Sequence, residues 1–198
     1  LGGKGAGVAE MMRLGVPVPD GFTVTTTASI ETSNNKGEWP EGLKEQIAEG
    51  LKRFEERTGR KLGGKEKPLL VSVRSGAVVS MPGMMDTILN LGISDETVEA
   101  VAAEANNERF AWDCSRRFIQ MYGEVVEGVP QHLYEDALSA KKAEKGVAGD
   151  TDLSAEDLKE LVAEFKQISN EALGGDWTTD PVEQLYRSVN AVFRSWGN

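Results

Sequence analysis

The chain has 198 residues, 39% of them apolar and 27% charged, with a formal net charge of −10; this length suits one domain or two small ones with a real core. The acidic balance argues against nonspecific nucleic-acid binding. No window approaches the roughly 18 consecutive apolar residues of a membrane span and no basic, apolar, cleavable signal pattern opens the chain, so a cytoplasmic protein with no nucleic-acid or membrane partner is expected. The single cysteine, Cys114, excludes an internal disulfide framework and a cysteine metal cluster.

Charge is unevenly spread. Residues 1–93 carry 12 Lys and Arg against 11 Asp and Glu, whereas residues 94–198 carry 10 against 21. Composition shifts at the same place, from Gly, Pro, Thr and branched residues to Glu, Ala, Lys and Leu. This predicts an α/β (α+β) chain with a small mixed sheet in residues 1–93, a helical subdomain over 94–180, and a last helix, 181–198, returning to the first part. The chain opens on Leu1 rather than Met and stops on Asn198 directly after a helical pattern, which reads as an excerpt from something longer.

LGGKGAG, residues 1–7, predicts a glycine-rich turn with one lysine, followed by a helix bearing Val8, Met11 and Met12. Glycine-freed amides at a helix N-terminus suit an anion, and Lys4 adds a mobile positive charge. The pattern is not a P-loop, which needs Ser or Thr after the lysine, and taken alone it more often marks a flexible turn than a phosphate site. Residues 15–21, GVPVPDG, end the helix and lead into a predicted strand, Phe22–Thr26, whose alternation suits a sheet. Thr25 to Thr27 offer a helix cap. After a polar loop at 34–38, Pro40 opens a charged helix to about Arg57 with Leu43, Ile47, Leu51 and Phe54 on one stripe. Residues 59–68 read as a basic loop.

Residues 69–91, LLVSVRSGAVVSMPGMMDTILNL, are the most informative stretch. LLVSV predicts a buried strand ending at Arg74, whose planar fork of donors suits phosphate or carboxylate oxygens. Small residues follow around Gly76 and Gly83, with Met84 and Met85 suited to closing over a flat apolar group. Asp86 and Thr87 precede a return strand at 88–91, completing a lid hairpin. A buried Arg74 paired with Asp86 inside a plain connector fits the spacing as well.

Beyond Ser94 the pattern is helical. Ser94 is placed to cap one helix and Asn106 or Asn107 the next, whose predicted buried stripe is Phe110, Cys114, Phe118, Met121 and Val125. At 100° per residue Arg117 lies about 20° from Phe110, whereas Arg116 faces elsewhere. Arg117 is then either a snorkelling side chain or a ligand-reaching one. Pro130 to Lys145 forms a further helix; His132, in its first turn, has no second His or Cys to share a metal, so no metal ligands are expected. Ser154 caps a helix bearing Leu158, Leu161, Val162, Phe165 and Ile168. Asp180, Pro181 and Glu183 open the last helix as a capping box with proline at its first position.

LGGKGAGVAEMMRLGVPVPDGFTVTT, LLVSVRSGAVVSMPGMMDTILNLGI, ERFAWDCSRRFIQMYGEVV and AVFRSW, in that order, resemble the pyruvate, phosphate dikinase family along essentially the whole chain. The SMPGMMDT segment separates this family from phosphoenolpyruvate synthases and glucan dikinases, which share the other motifs but carry a more acidic loop there. The resemblance implies the N-terminal portion of an ATP-grasp nucleotide-binding domain, with residues 1–93 as its first subdomain and a helical insertion after it. It implies conversion of ATP, phosphate and pyruvate to AMP, pyrophosphate and phosphoenolpyruvate, through a phospho-histidine on a separate domain, with Mg2+ at both centres. The family's catalytic lysine and arginines map onto Lys4, Arg74 and Arg117, and its phosphate loop onto Gly76, Gly83, Met84, Asp86 and Thr87. Expected partners are ATP, phosphate, the histidine domain and the pyruvate-binding barrel, in a homodimer when full length. A phosphoenolpyruvate synthase fragment and a non-catalytic nucleotide-sensing module are the alternatives. The adenine pocket and metal ligands fall outside these residues, so the chain alone is expected to turn over nothing.

Overall fold

The computed structural model describes residues 2–76 and 87–196. In chain order these form α1 (Gly2–Arg13), α2 (Thr26–Asn34), α3 (Leu43–Thr58), β1 (Lys61–Leu62), β2 (Pro68–Leu69), β3 (Val71–Val73), β4 (Ile88–Leu91), α4 (Val98–Ala105) and α5 (Glu108–Tyr122). A π-turn (Gly123–Glu127), α6 (Gln131–Lys145), a 3-10 turn (Asp150–Asp152), α7 (Ala155–Ala172) and α8 (Pro181–Ser195) follow. The mixed α/β class agrees with the sequence. The expected small sheet takes the form of two pairs, β1 with β2 in parallel and β3 with β4 antiparallel. Among the described residues no helix is long and apolar enough to cross a membrane.

One compact unit comprises Leu1–Arg60, Arg74–Thr87 and Val189–Asn198; the other comprises Lys61–Val73 and Ile88–Ser188. This divides the chain differently from a break at Ile93–Ser94, because β4 packs on α5 and so joins the helices.

In the first unit α1 begins at Gly2, so the glycines lie inside the helix rather than in a turn before it. Gly5 and Gly7 each cost about 1 kcal/mol relative to Ala in a helix interior, and α1 buries none of its residues. Val8, Met11 and Met12 remain 40–47% exposed. Phe22–Thr26 is not a strand. Among the described residues no strand pairs with it; the Phe22 ring instead lies against Gly50, where an added Cβ would meet it at 3.0 Å. Thr25 caps α2, its hydroxyl accepting from the Ala28 amide. Pro40 precedes α3 by three residues, and Leu43, Ile47 and Leu51 form the predicted buried face. Trp39 packs its ring 6.2 Å from that of Phe193 and donates its indole N–H to Asn190.

In the second unit the expected strand over 69–73 is split at Leu70, because Pro68–Leu69 follows β1 and Val71–Val73 follows β4. Only the first piece is buried. The loop expected over 59–68 therefore contains β1. Gly92, at φ 106°, passes so close to β2 that a Cβ would sit 2.5 Å from the Leu69 carbonyl oxygen. The helix expected to be capped by Ser94 begins at Val98 instead. A turn intervenes, in which the Ser94 carbonyl accepts from the Thr97 and Val98 amides.

α5 is the central helix of this unit and packs on α4, α7 and β4. The Asn107 side chain caps it, accepting from the Phe110 amide, while Asn106 ends α4 at φ 48°. α6 packs on α7, where the Tyr134 and Phe165 rings lie 4.9 Å apart. Ser154 and Asp157 form a reciprocal capping box on α7, which satisfies two amides that helix geometry leaves orphaned. Asp180 accepts from the Val182 and Glu183 amides at the start of α8.

Candidate functional site

Lys4 lies in the first turn of α1 and is half-buried. Its backbone amide donates to the carbonyl oxygen of Gly76 at 3.3 Å, so that amide is not available to an anion. Gly2 explains the approach: at φ 71° it occupies the left-handed region, and a Cβ there would sit 2.7 Å from the same oxygen. Only glycine tolerates both conditions. The helix start is thereby held against the segment Arg74–Ser75–Gly76.

Arg74 is exposed rather than buried at a strand end. Its neighbour Ser75 is 3% exposed, and the Ser75 hydroxyl accepts the Trp196 indole N–H at 2.8 Å. The segment carrying Arg74 is thus pinned on one side by α1 and on the other by the end of α8. Neither Lys4 nor Arg74 has a carboxylate partner among the described residues. Two cations with no counter-charge among the described residues suit an external polyanion. Thr87 is half-buried in the same unit, immediately before β4. Gly83, Met84 and Asp86 lie outside the described residues, as does the pairing of Arg74 with Asp86.

Arg117 belongs to the second unit, on α5. Its side chain is 59% exposed, and it forms an ion pair with Asp113, its Nε 2.9 Å from Oδ2. Here the structure reverses an expectation: Arg116, not Arg117, is the buried arginine of α5, with its side chain only 4% exposed. The buried face runs through Ala111, Trp112, Ser115, Phe118, Ile119 and Tyr122, whereas Phe110 is 49% exposed and Cys114, Met121 and Val125 are half-buried. Weighting the large Phe110 turned the predicted stripe by about one residue, or 100°. Ala111 and Ser115 carry the better signal, since small side chains at i and i+4 mark close packing.

Arg116 is satisfied as buried charge requires. Its Nε and Nη2 donate to Asp113 Oδ1 at 3.1 and 2.9 Å, and its Nη1 donates to Gln120 at 3.3 Å. Asp150 stands 3.8 Å away; the Lys142 ammonium bonded to it holds its carboxyl below the usual range, a lowering that Arg116 and Arg117 extend. Arg109 fixes the same turn by donating to the Leu153 and Asp150 carbonyls. Asp113 is not among the site residues expected from the sequence, although carboxylate–arginine spacing of three and four on a helix is its signature.

His132 is exposed, as expected. The Cys114 thiol is pushed up by burial and then by Asp113, so no reactive thiolate is placed here. Among the described residues no group of three or more His, Cys, Asp or Glu could hold a metal ion.

The model of the pyruvate phosphate dikinase AMP/ATP-binding domain matches residues 28–198. Among similar proteins, pyruvate, phosphate dikinase from Clostridium symbiosum is 53% identical over all of this chain and 23% of its own length. The Rhizobium meliloti enzyme is 50% identical over all of this chain and 22% of its own length. The chloroplastic enzyme of Flaveria pringlei is 51% identical over 99% of this chain and 20% of its own. The chain thus spans about a fifth of the length of the curated relatives it matches. With half its residues shared with these enzymes and the family model covering most of its length, the chain belongs to the pyruvate phosphate dikinase AMP/ATP-binding domain family.

Proposed function

We propose that this chain supplies the phosphate-side clamp of the ATP site in a pyruvate, phosphate dikinase, with Lys4, Arg74 and Arg117 as the cations that meet the polyphosphate. The observation that carries the reading is the contact of Lys4 with Gly76, which puts a lysine and an arginine beside one short loop with no carboxylate partner for either among the described residues. Phosphoryl transfer depends mainly on positioning and on neutralising charge over the phosphate oxygens. A point charge from Lys4 and a planar fork from Arg74 supply both. Gly76 and Thr87 flank residues 77–86, and Gly83, Met84 and Asp86 belong to the same proposal. Family membership supports ATP as the nucleotide.

The whole reaction belongs to this proposal: ATP, phosphate and pyruvate giving AMP, pyrophosphate and phosphoenolpyruvate. So do the phospho-histidine domain, the pyruvate-binding barrel, the homodimer and a cytoplasmic location. The relatives named above are pyruvate, phosphate dikinases, which favours this reading over a phosphoenolpyruvate synthase or a nucleotide-sensing module. The described residues offer no cluster fit for magnesium, so no step is derived through that ion.

The test is Arg74→Glu in the complete dikinase, with ATP affinity measured by titration calorimetry. A charge-assisted hydrogen bond contributes about 1.5–3 kcal/mol, so affinity should fall by at least about tenfold. Unchanged affinity in a folded variant overturns the clamp.

A further inference from the structure

We propose that Asp113 is a positioning residue for nucleotide binding: its carboxylate is shared between two consecutive arginines, and anchoring the buried one lets it hold the exposed one in place. This rests on the reading of Arg117 as a phosphate ligand and adds the residue that aims it.

The geometry divides the carboxylate cleanly. Oδ1 accepts from Arg116 Nε and Nη2, and Oδ2 forms an ion pair with Arg117, 2.9 Å from its Nε. An exposed ion pair one turn apart on a helix ordinarily contributes little, because two flexible side chains must be ordered in water. Asp113 differs in being 15% exposed and already fixed by Arg116, itself 4% exposed and bonded to Gln120. The ordering cost is met within the protein before Arg117 binds to it. Arg117 then uses only its Nε internally, and its two terminal nitrogens have no partner among the described residues. Those are the donors that engage phosphate oxygens in paired fashion.

The shared carboxylate also resolves a conflict that adjacent arginines create. One negative charge between two guanidinium groups lowers their mutual repulsion and keeps Arg117 from displacing Arg116. An amide cannot serve both. In an Asp113→Asn protein the single amide oxygen would turn to the buried Arg116, whose loss is costlier, and the amide would present an N–H to Arg117.

The experiment measures ATP dissociation constants by titration calorimetry on the complete dikinase carrying Asp113→Asn, Arg117→Met, Arg116→Met and their pairs, with melting temperatures in parallel. Arg117→Met should weaken ATP by about tenfold, and Asp113→Asn by a several-fold smaller factor. Asp113→Asn should add nothing once Arg117 is Met. Arg116→Met should lower the melting temperature and weaken ATP binding less than Asp113→Asn does, because Asp113 loses its anchor but keeps its charge beside Arg117. If Asp113→Asn alone does not fold, Asp113→Asn with Arg116→Met removes the stranded buried charge and carries the test. Unchanged ATP affinity in Asp113→Asn, against a weakened Arg117→Met, overturns the positioning role while leaving the clamp standing. Unchanged affinity in Arg117→Met removes Arg117 from the clamp and the positioning role with it.

Discussion

Gly123→Ala puts the packing of the second unit to a quantitative test. Gly123 opens the π-turn after α5, and a Cβ there would lie 2.0 Å from Tyr134 Oη and 2.9 Å from its Cζ. Tyr134 is fully buried, and its hydroxyl meets Ser169 Oγ at 2.7 Å. Ser169 donates its own proton to the Phe165 carbonyl, which leaves Tyr134 as donor to Ser169. Alanine favours a helical backbone by about 1 kcal/mol over glycine. Against this stand overpacking of roughly 1–3 kcal/mol and, once the ring is pushed aside, a stranded buried hydroxyl costing roughly 1–3 kcal/mol. The unfavourable effects win, and a net loss of about 3 kcal/mol is expected. Tyr134→Phe alone should cost about 1 kcal/mol for the lost hydrogen bond. In that background the closest contact is gone and only the ring carbon remains near, so Gly123→Ala should cost about 1 kcal/mol. Urea unfolding followed by circular dichroism gives all four corners of the cycle. A loss below about 1 kcal/mol for Gly123→Ala, or equal losses in both backgrounds, refutes the reasoning.

Acid should weaken α7 through Asp157, whose carboxyl is lowered from 3.8 to about 2 chiefly by Lys145, with the Ser154 amide and hydroxyl adding to it. A depressed folded pKa gives stability that is present above 3.8 and lost as pH falls toward 2. Asp157→Asn should flatten stability across that window, and an unaltered acid profile would contradict the assignment. At the candidate site, Gly2→Ala should weaken ATP binding by the complete dikinase several-fold with little change in overall stability. Its Cβ cannot coexist with the Gly76 carbonyl, whereas α1 buries no residue of its own. Calorimetric titration showing wild-type affinity would separate the Lys4 contact from binding.

Four helix caps, though not the one expected at Ser94, were legible because their chemistry is local. Thr25, Asn107, Ser154 and Asp180 each bond amides two or three residues ahead, and no distant partner is needed to place them. The faces of α3 and α7 were legible for a related reason, since a regular apolar repeat leaves one orientation that buries it. The motifs around Lys4, Arg74 and Arg117 carried the family.

Tertiary structure decided what depends on a partner far along the chain. Whether Phe22–Thr26 becomes a strand depends on an unpaired edge being offered to it, and the stretch from Pro68 to Val73 divides because two different strands compete for it. The choice between Arg116 and Arg117 as the buried cation is a rotation of α5 set by α4, α7 and β4. A single position of rotation is too small for local periodicity to resolve when a large aromatic sits on the exposed side. The approach of Gly2 to Gly76 joins residues more than seventy apart. Sequence supplied the cations and the glycines that permit the contact, whereas only the folded chain brings Lys4 to the loop beside Arg74.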